Sequence, residues 1–186
     1  MFSDWAKSPD LYVVRSYGNG AAMRVTPIGY ACPTLEGALR EARLSCLYTH
    51  RHPEAIRGAQ AVTAAVFLAR AGESKAGIAR RIHGIAGFDL TRPLSSIRPD
   101  YRFDSRTGYS VPPAIRAFLE SDDFESAVRL AVSIGGDSDT IACIAGGIAE
   151  AFYRHIPKEI ADGCWRRLDS GLKKTVCAFR NAYGLE

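Results

Sequence analysis

One stretch limits how this chain can fold: a run of small apolar residues at positions 141–153 that directly follows a polar cluster at positions 135–140. The run has one charged residue, Glu150, and is too short to span a bilayer, so it predicts a buried helix. The cluster contains Asp137, Asp139 and Thr140. If Asp137 starts the helix, these three side chains crowd together near its first turn, at the edge of the core.

Two interpretations fit the spacing of this cluster. An aspartate at the N-cap, with a second acid in the first turn, is ordinary helix capping, and the spacing alone favours it. Alternatively, Asp137, Asp139 and Thr140 bind a hard cation such as Mg²⁺ or Ca²⁺ rather than zinc, because all three offer oxygen ligands. An unpaired carboxylate beside a nearly uncharged helix is costly, and this cost supports the metal interpretation.

A second cluster, residues 16–24, contains Gly18, Asn19 and Gly20, which together predict a tight turn. Such a turn can direct several backbone N–H groups at one anion. A dinucleotide-binding fingerprint does not fit, because Met23 occupies the position of its third small residue. A plain loop and a ligand contact both remain open for this segment.

The rest of the chain is dominated by helical patterns. We expect helices that begin at Thr34, at Pro53 and at Ser74, and a last helix with apolar residues at steps of three and four from Leu168 to Tyr183. With no alternating strand pattern, the sequence predicts an all-α fold, a compact single domain of about seven helices.

Three further segments give local expectations. Ser110 caps a helix opened by Pro112 and Pro113, and Asp122 with Glu125 has the spacing of a capping box. Residues 88–110 form the longest irregular stretch, which Tyr101, Phe103 and Tyr109 would anchor. The segment His50-Arg51-His52 is either a solvated junction or helix cap, or it places His50 against a ligand.

Composition narrows the class of protein. The 186 residues suit one domain, and a net charge of +4 with interspersed signs does not indicate a nucleic-acid partner. The five cysteines are scattered without a C-x-x-C pair, which is typical of reduced thiols in a cytoplasmic protein. No membrane partner is expected either.

Residues 16–25, followed by Pro27-Ile28-Gly29, resemble the middle motif of the ADP-ribosylglycohydrolases of the dinitrogenase-reductase-activating type. Residues 135–142 resemble the carboxy-terminal metal motif of the same family. Thr49-His50, residues 52–56 and Ser110-Val111-Pro112 also fit, so the resemblance extends from Ser16 to Pro157. It implies an all-α fold with two Mg²⁺ ions in a cleft that binds ADP-ribose, and hydrolysis of the glycosidic bond that joins ADP-ribose to a protein side chain or small molecule.

The resemblance also implies roles for individual residues. The metal ligands would be Asp137, Asp139 and Thr140. The residues that contact ADP-ribose would be Ser16, Tyr17, Gly18, Asn19, Gly20, Met23 and His50.

The sequence departs from the family pattern in one respect. The Gly-Asp-x-x-Gly and Thr-Asp-Asp segments, which supply the other metal ligands and the acid/base carboxylate, are absent, so no catalytic residue is assigned. We expect residues 1–186 to be one domain that lacks the amino-terminal part of the family. Three hypotheses follow: an impaired hydrolase, an inactive ADP-ribose-binding or nucleotide-binding module, or a half-site completed by a homo-oligomer or a complementing amino-terminal chain.

Overall fold

The computed structural model describes Lys7 and residues 13–185, and this part of the chain is all-α, as the sequence predicts. It contains ten α-helices, more than the expected seven. They are α1 (Thr26–Ala31), α2 (Leu35–Cys46), α3 (Pro53–Arg70), α4 (Lys75–Ala86), α5 (Leu94–Ile97), α6 (Thr107–Glu120), α7 (Phe124–Val132), α8 (Ser138–Tyr153), α9 (Lys158–Arg167) and α10 (Ser170–Tyr183). Short 3₁₀ helices occupy Ala22–Arg24 and Arg98–Asp100.

Helix α3 forms the centre of the core and packs against α1, α2, α4, α6 and α8. Small residues make this packing close. Gly58 is one example: a methyl group at this position would overlap the Thr107 side chain at the start of α6. Helix α3 therefore brings the start of α6 into the interior, where it contacts residues 17–18.

Helix α8 is the buried helix predicted from the apolar run. Ile141, Ile144 and Ile148 are fully buried, and the helix packs against α3, α6 and α7. Its amino-terminal end reaches the surface, so the polar residues that precede it lie at the edge of the core. The fold thus leaves Asp137 and Asp139, at the start of α8, open to solvent.

The local capping signals at the starts of α2, α3 and α4 were correct, whereas those at the starts of α6 and α7 were wrong. Thr34, His52 and Ser74 are side-chain N-caps. The capping box of α7 is formed by Asp123 and Ser126, one residue further along than predicted.

Helix α6 starts at Thr107, so Ser110 is not its cap and both prolines lie inside the helix. It starts early because tertiary contacts hold its first turn. The backbone N–H of Thr107 donates to the carbonyl of Tyr17 at 3.0 Å. Tertiary contacts of the first turn therefore offset the free-energy cost of Pro112 and Pro113 inside the helix, and these contacts cannot be seen in the local sequence.

The segment between α4 and α6 is more ordered than predicted, since it includes α5 and a 3₁₀ turn. Of its three expected anchors, only Tyr101 packs against the core. Phe103 and Tyr109 are 72% and 51% exposed, and the Tyr109 ring lies under the Arg106 guanidinium at 4.2 Å. Both aromatic rings instead line a surface cavity of about 740 Å³ between this segment and α6.

Helix α10 confirms most of the predicted last helix, although Leu168 lies before its start, and α9 is a further helix that was not predicted. Neither helix contains a buried residue. Leu172 and Val176, on one face of α10, are 52% and 37% exposed. Within the described residues, no helix combines the length and apolar character needed to cross a membrane.

Candidate functional site

The segment that leads into α6 holds the turn at residues 16–20 through hydrogen bonds. The backbone N–H of Asn19 donates to the Ser105 carbonyl at 2.8 Å. The buried hydroxyl of Thr107 points at the carbonyls of Tyr17 and Gly18, at 3.0 and 2.8 Å. These contacts fix the backbone of the turn from a region about ninety residues away in the sequence.

Asn19 joins the turn to the start of α8. Its side-chain amide donates to the Ser110 hydroxyl at 2.7 Å and to the Asp137 carboxylate at 2.5 Å. Asn19 is only 6% exposed and Ser110 is fully buried, so this link lies within the protein. The structure therefore brings the two sequence motifs into direct contact.

Asp137 occupies the N-cap position of α8, but its side chain accepts no hydrogen bond from the helix backbone. The simple capping interpretation is therefore wrong for this residue, whose carboxylate is oriented by Asn19 instead. Asp139 is exposed and accepts from the Thr140 backbone N–H at 2.8 Å. This hydrogen bond, followed by one with Asp137, lowers the pKa of the Asp139 carboxyl and favours its charged form.

Thr140 is nearly buried, and its hydroxyl points at the Met23 sulfur at 3.7 Å. The thiol of Cys143, one turn further along α8, donates to the Met23 carbonyl at 3.4 Å. Met23 is therefore packed against the first turns of α8, even though its side chain is 44% exposed.

His50 lies against the glycine turn. A methyl group at Gly20 would lie 3.1 Å from the His50 Nε2 atom, which is tighter than an ordinary van der Waals contact. The other ring nitrogen, Nδ1, forms a 2.8 Å hydrogen bond with the Thr49 hydroxyl. Burial, reinforced by the Arg24 guanidinium, lowers the pKa of His50, so its ring is neutral near pH 7.

The two remaining predicted contact residues lie at the start of the turn. The Ser16 hydroxyl accepts a hydrogen bond from the Gly18 backbone N–H at 3.1 Å. Tyr17 is 52% exposed, and its ring meets the edge of His52 with centroids 5.8 Å apart. His52 itself caps α3, which confirms the helix-cap interpretation for that residue, whereas the ligand contact of His50 stays a prediction.

Several contacts at this site were not predicted from the sequence. Thr107, Ser110 and Glu54 position the turn or the start of α6; Glu54 accepts a 2.7 Å hydrogen bond from the Gly108 backbone N–H. Tyr101 packs so close to Gly136, which has a φ of +61°, that a methyl group there would lie 2.6 Å from its ring. The Ser110-Val111-Pro112 match marked this region, but no local signal indicated these contacts.

The side chains of Asp137, Asp139 and Thr140, at the start of α8, offer only oxygen atoms, which is the type of ligand that a hard cation prefers. Mg²⁺ takes about six oxygen ligands, so these side chains would supply part of a site. Across residues 13–185, no group of three or more His, Cys, Asp or Glu side chains is placed to hold a metal ion. The three side chains are therefore too few to complete the coordination of a Mg²⁺ ion by themselves.

The sequence model of the ADP-ribosylglycohydrolase family matches residues 2–180. The chain belongs to the ADP-ribosylglycohydrolase family. Among the relatives, ADP-ribosylhydrolase ARH3 from Homo sapiens is 33% identical over 196 residues, covering 80% of this chain and 54% of the relative. The ADP-ribosylarginine hydrolase Tri1 of Pseudomonas putida (strain GB-1) is 28% identical, covering 73% of this chain and 38% of its own length.

A solved structure described as an ADP-ribosylglycohydrolase-related protein complex has the same fold, with a TM-score of 0.67 and 26% identity. The match covers 84% of this chain and 58% of that one. The chain spans about half the length of the curated ADP-ribosylglycohydrolases it matches.

Proposed function

We propose that the chain carries the ADP-ribose-binding part, and one side of the Mg²⁺ site, of an enzyme that hydrolyses the glycosidic bond between ADP-ribose and a protein side chain or small molecule. The observation that carries this proposal is the hydrogen bond from Asn19 to Asp137, which joins the two motifs of the family in space. Membership of a family of ADP-ribosylhydrolases supports the reaction class.

In this proposal, ADP-ribose lies along the turn at residues 16–20. The exposed Tyr17 ring offers a flat apolar surface for a base, and the neutral His50 ring offers a hydrogen-bonding edge beside Gly20. Asn19 holds the Asp137 carboxylate towards the metal position, next to Asp139 and Thr140. Mg²⁺, when bound, would supply Lewis-acid polarisation and an activated water.

The test measures ADP-ribose release from peptides ADP-ribosylated on arginine or on serine, with and without Mg²⁺. Asp137→Ala should abolish any Mg²⁺-dependent release. The matched control is Asp122→Ala, which removes an exposed carboxylate just before α7, outside the site. Release that persists in Asp137→Ala would contradict the proposed role of the α8 motif.

A second function is favoured by the absence, among the described residues, of a cluster of metal-binding carboxylates that could complete the site. In this alternative the chain is a module that binds ADP-ribose or a nucleotide without hydrolysing it. Calorimetric titration with ADP-ribose distinguishes the two: binding without release from either peptide indicates the module, whereas release indicates the enzyme.

The proposal extends to partners and location. The missing ligands would come from a complementing amino-terminal chain or from a homo-oligomer. The described cysteines form no disulfide, which fits a protein of the reducing cytoplasm.

A further inference from the structure

A surface cavity of about 740 Å³ opens between helix α6 and the segment that follows α4. Its walls carry four aromatic rings, which are those of Phe88, Tyr101, Phe103 and Tyr109. None of residues 16–24 or 135–142 lines it, so the cavity is distinct from the space at the glycine turn and the start of α8. The proposed hydrolysis gives this cavity no role.

The exposure of the walls favours a polypeptide ligand over a small molecule. Phe103 and Tyr109 are 72% and 51% exposed, and the side chains of Arg92 and Arg102 are exposed in the same walls. A pocket for a small molecule encloses most of its ligand, which walls as open as these do not achieve. Aromatic residues and arginine are instead the residue types enriched where one protein surface binds another.

The charge around the cavity is positive. Residues 80–120 contain seven arginines, no lysine and four acidic residues, so this part of the chain carries +3 of the net charge of +4. Two of these acids form ion pairs with arginines of the same segment. The other two, Asp89 and Asp100, line the cavity and are outnumbered by the five arginines that remain. A ligand with acidic groups is therefore complementary to this surface.

Two arginines of the cavity walls keep their charge available to a ligand. Arg92 donates to the carbonyl of Ser96 at 3.2 Å, and Arg102 donates to the carbonyls of Pro99 and Tyr101 at 3.2 and 2.8 Å. Among the described residues, neither guanidinium group has a carboxylate partner. These backbone contacts orient the side chains without neutralising them, so each can still pair with an acid of the ligand.

One wall of the cavity is shared with the proposed site. The Tyr101 ring packs so closely on Gly136 that a methyl group there would lie 2.6 Å from it. The carbonyl of Ser105, whose neighbours on both sides line the cavity, accepts the backbone N–H of Asn19 at 2.8 Å. The cavity therefore adjoins both motifs, between which the bond from ADP-ribose to a polypeptide would be cleaved.

We propose that this cavity binds the polypeptide that carries ADP-ribose, and that it selects a segment with acidic residues beside an apolar one. The carboxylates of the segment accept hydrogen bonds from Arg92 and Arg102, whose planar guanidinium groups match a carboxylate in shape. An apolar side chain of the segment packs on the exposed Phe103 ring. This inference rests on the proposed function and adds the class of substrate to it, a protein modified next to an acidic stretch.

The experiment measures the binding of two fluorescein-labelled, unmodified peptides of equal length by fluorescence anisotropy. One peptide has aspartate and glutamate on both sides of a phenylalanine, and in the other peptide each acid is replaced by its amide. We expect the acidic peptide to bind at least about tenfold more tightly at low salt. This preference should shrink as the salt concentration rises, because exposed charges are screened.

Two variants test the walls separately. Arg92→Ala/Arg102→Ala should remove the preference for the acidic peptide, and Phe103→Ala should weaken binding of that peptide by about tenfold. The matched controls Arg43→Ala and Tyr48→Ala change exposed residues in α2 and in the turn after it, and they should bind as the parent chain does. All of these side chains are exposed, so thermal unfolding of each variant should match that of the parent chain.

Equal affinity for the two peptides would overturn the proposal. So would a loss of binding in Arg43→Ala as large as that in Arg92→Ala/Arg102→Ala, because it would indicate general attraction to a basic protein.

A last measurement links the cavity to the substrate. The acidic peptide carrying ADP-ribose should bind more tightly than its unmodified form, since one ligand then occupies both places. Equal affinity of the two forms would show that the cavity does not serve the same substrate. Binding of the unmodified peptides requires no hydrolysis, so its failure and a failure of ADP-ribose release are separate results.

Discussion

The buried hydroxyl of Thr107 is the contact that most directly fixes the glycine turn, and Thr107→Val tests it. Valine has nearly the shape of threonine, so the change removes the hydroxyl without leaving a cavity. The Tyr17 carbonyl keeps the backbone N–H of residue 107 at 3.0 Å. The Gly18 carbonyl, in contrast, loses the donor that lies 2.8 Å away.

The magnitude follows from the burial of this group, since Thr107 is 0% exposed. Gly18 is only half-buried, so water can partly replace the lost donor, and the free energy of unfolding in urea should fall by about 1 kcal/mol, the typical net contribution of one hydrogen bond. If the turn is loosened by about 1.4 kcal/mol, the Kd for ADP-ribose rises about tenfold, as calorimetry would measure.

Thr107→Ser is the matched control. Serine keeps the hydroxyl but removes the methyl group that packs against Gly58, so stability should fall by about 1 kcal/mol while ADP-ribose affinity stays close to that of the parent chain. Wild-type stability and affinity in Thr107→Val would refute the reasoning, because the hydroxyl would then not be what holds the turn.

Three other changes test the packing and electrostatics. Gly58→Ala should destabilise the protein by about 1–3 kcal/mol in urea, since its methyl would collide with Thr107; unchanged stability would show that α3 and α6 can move apart. The lowered pKa of His50 contributes stability that is present above its unfolded pKa of 6.5 and is lost as pH falls through the folded value. His50→Gln should therefore unfold with a shallower loss of stability between about pH 7 and 5, and an equal slope in both proteins would contradict the burial of the ring. Asp123→Ala, which removes the α7 capping box, should cost about 1 kcal/mol by thermal unfolding, whereas Asp122→Ala should cost almost nothing.

Local signals allowed much of the helical order to be predicted. Thr34 and Ser74 act as caps because the side chain and the backbone N–H that it accepts from are only three residues apart. Helix α8 was also predictable from local sequence, because its apolar run can be buried only as a helix within the core. In these places the sequence contains both partners of each interaction within one turn.

The contacts that define the site were beyond such reasoning. The Asn19–Asp137 hydrogen bond spans 118 residues and the Asn19–Ser110 bond spans 91, so neither pairing has a local pattern. The resemblance to a family pointed to these segments, but it did not predict that Thr107 and Glu54 would hold them. The prediction of where α6 begins was wrong for the same reason, because the first turn of this helix depends on a hydrogen bond to the distant Tyr17 carbonyl.

The same long-range Asn19 contacts have a consequence for how the protein folds. Bringing together groups that are so distant along the chain requires closure of large loops, whose entropic cost is met only when the intervening helices have packed. The site should therefore be among the last parts of the molecule to form during refolding. Recovery of ligand binding would then report completion of the native topology, later than recovery of helical circular dichroism.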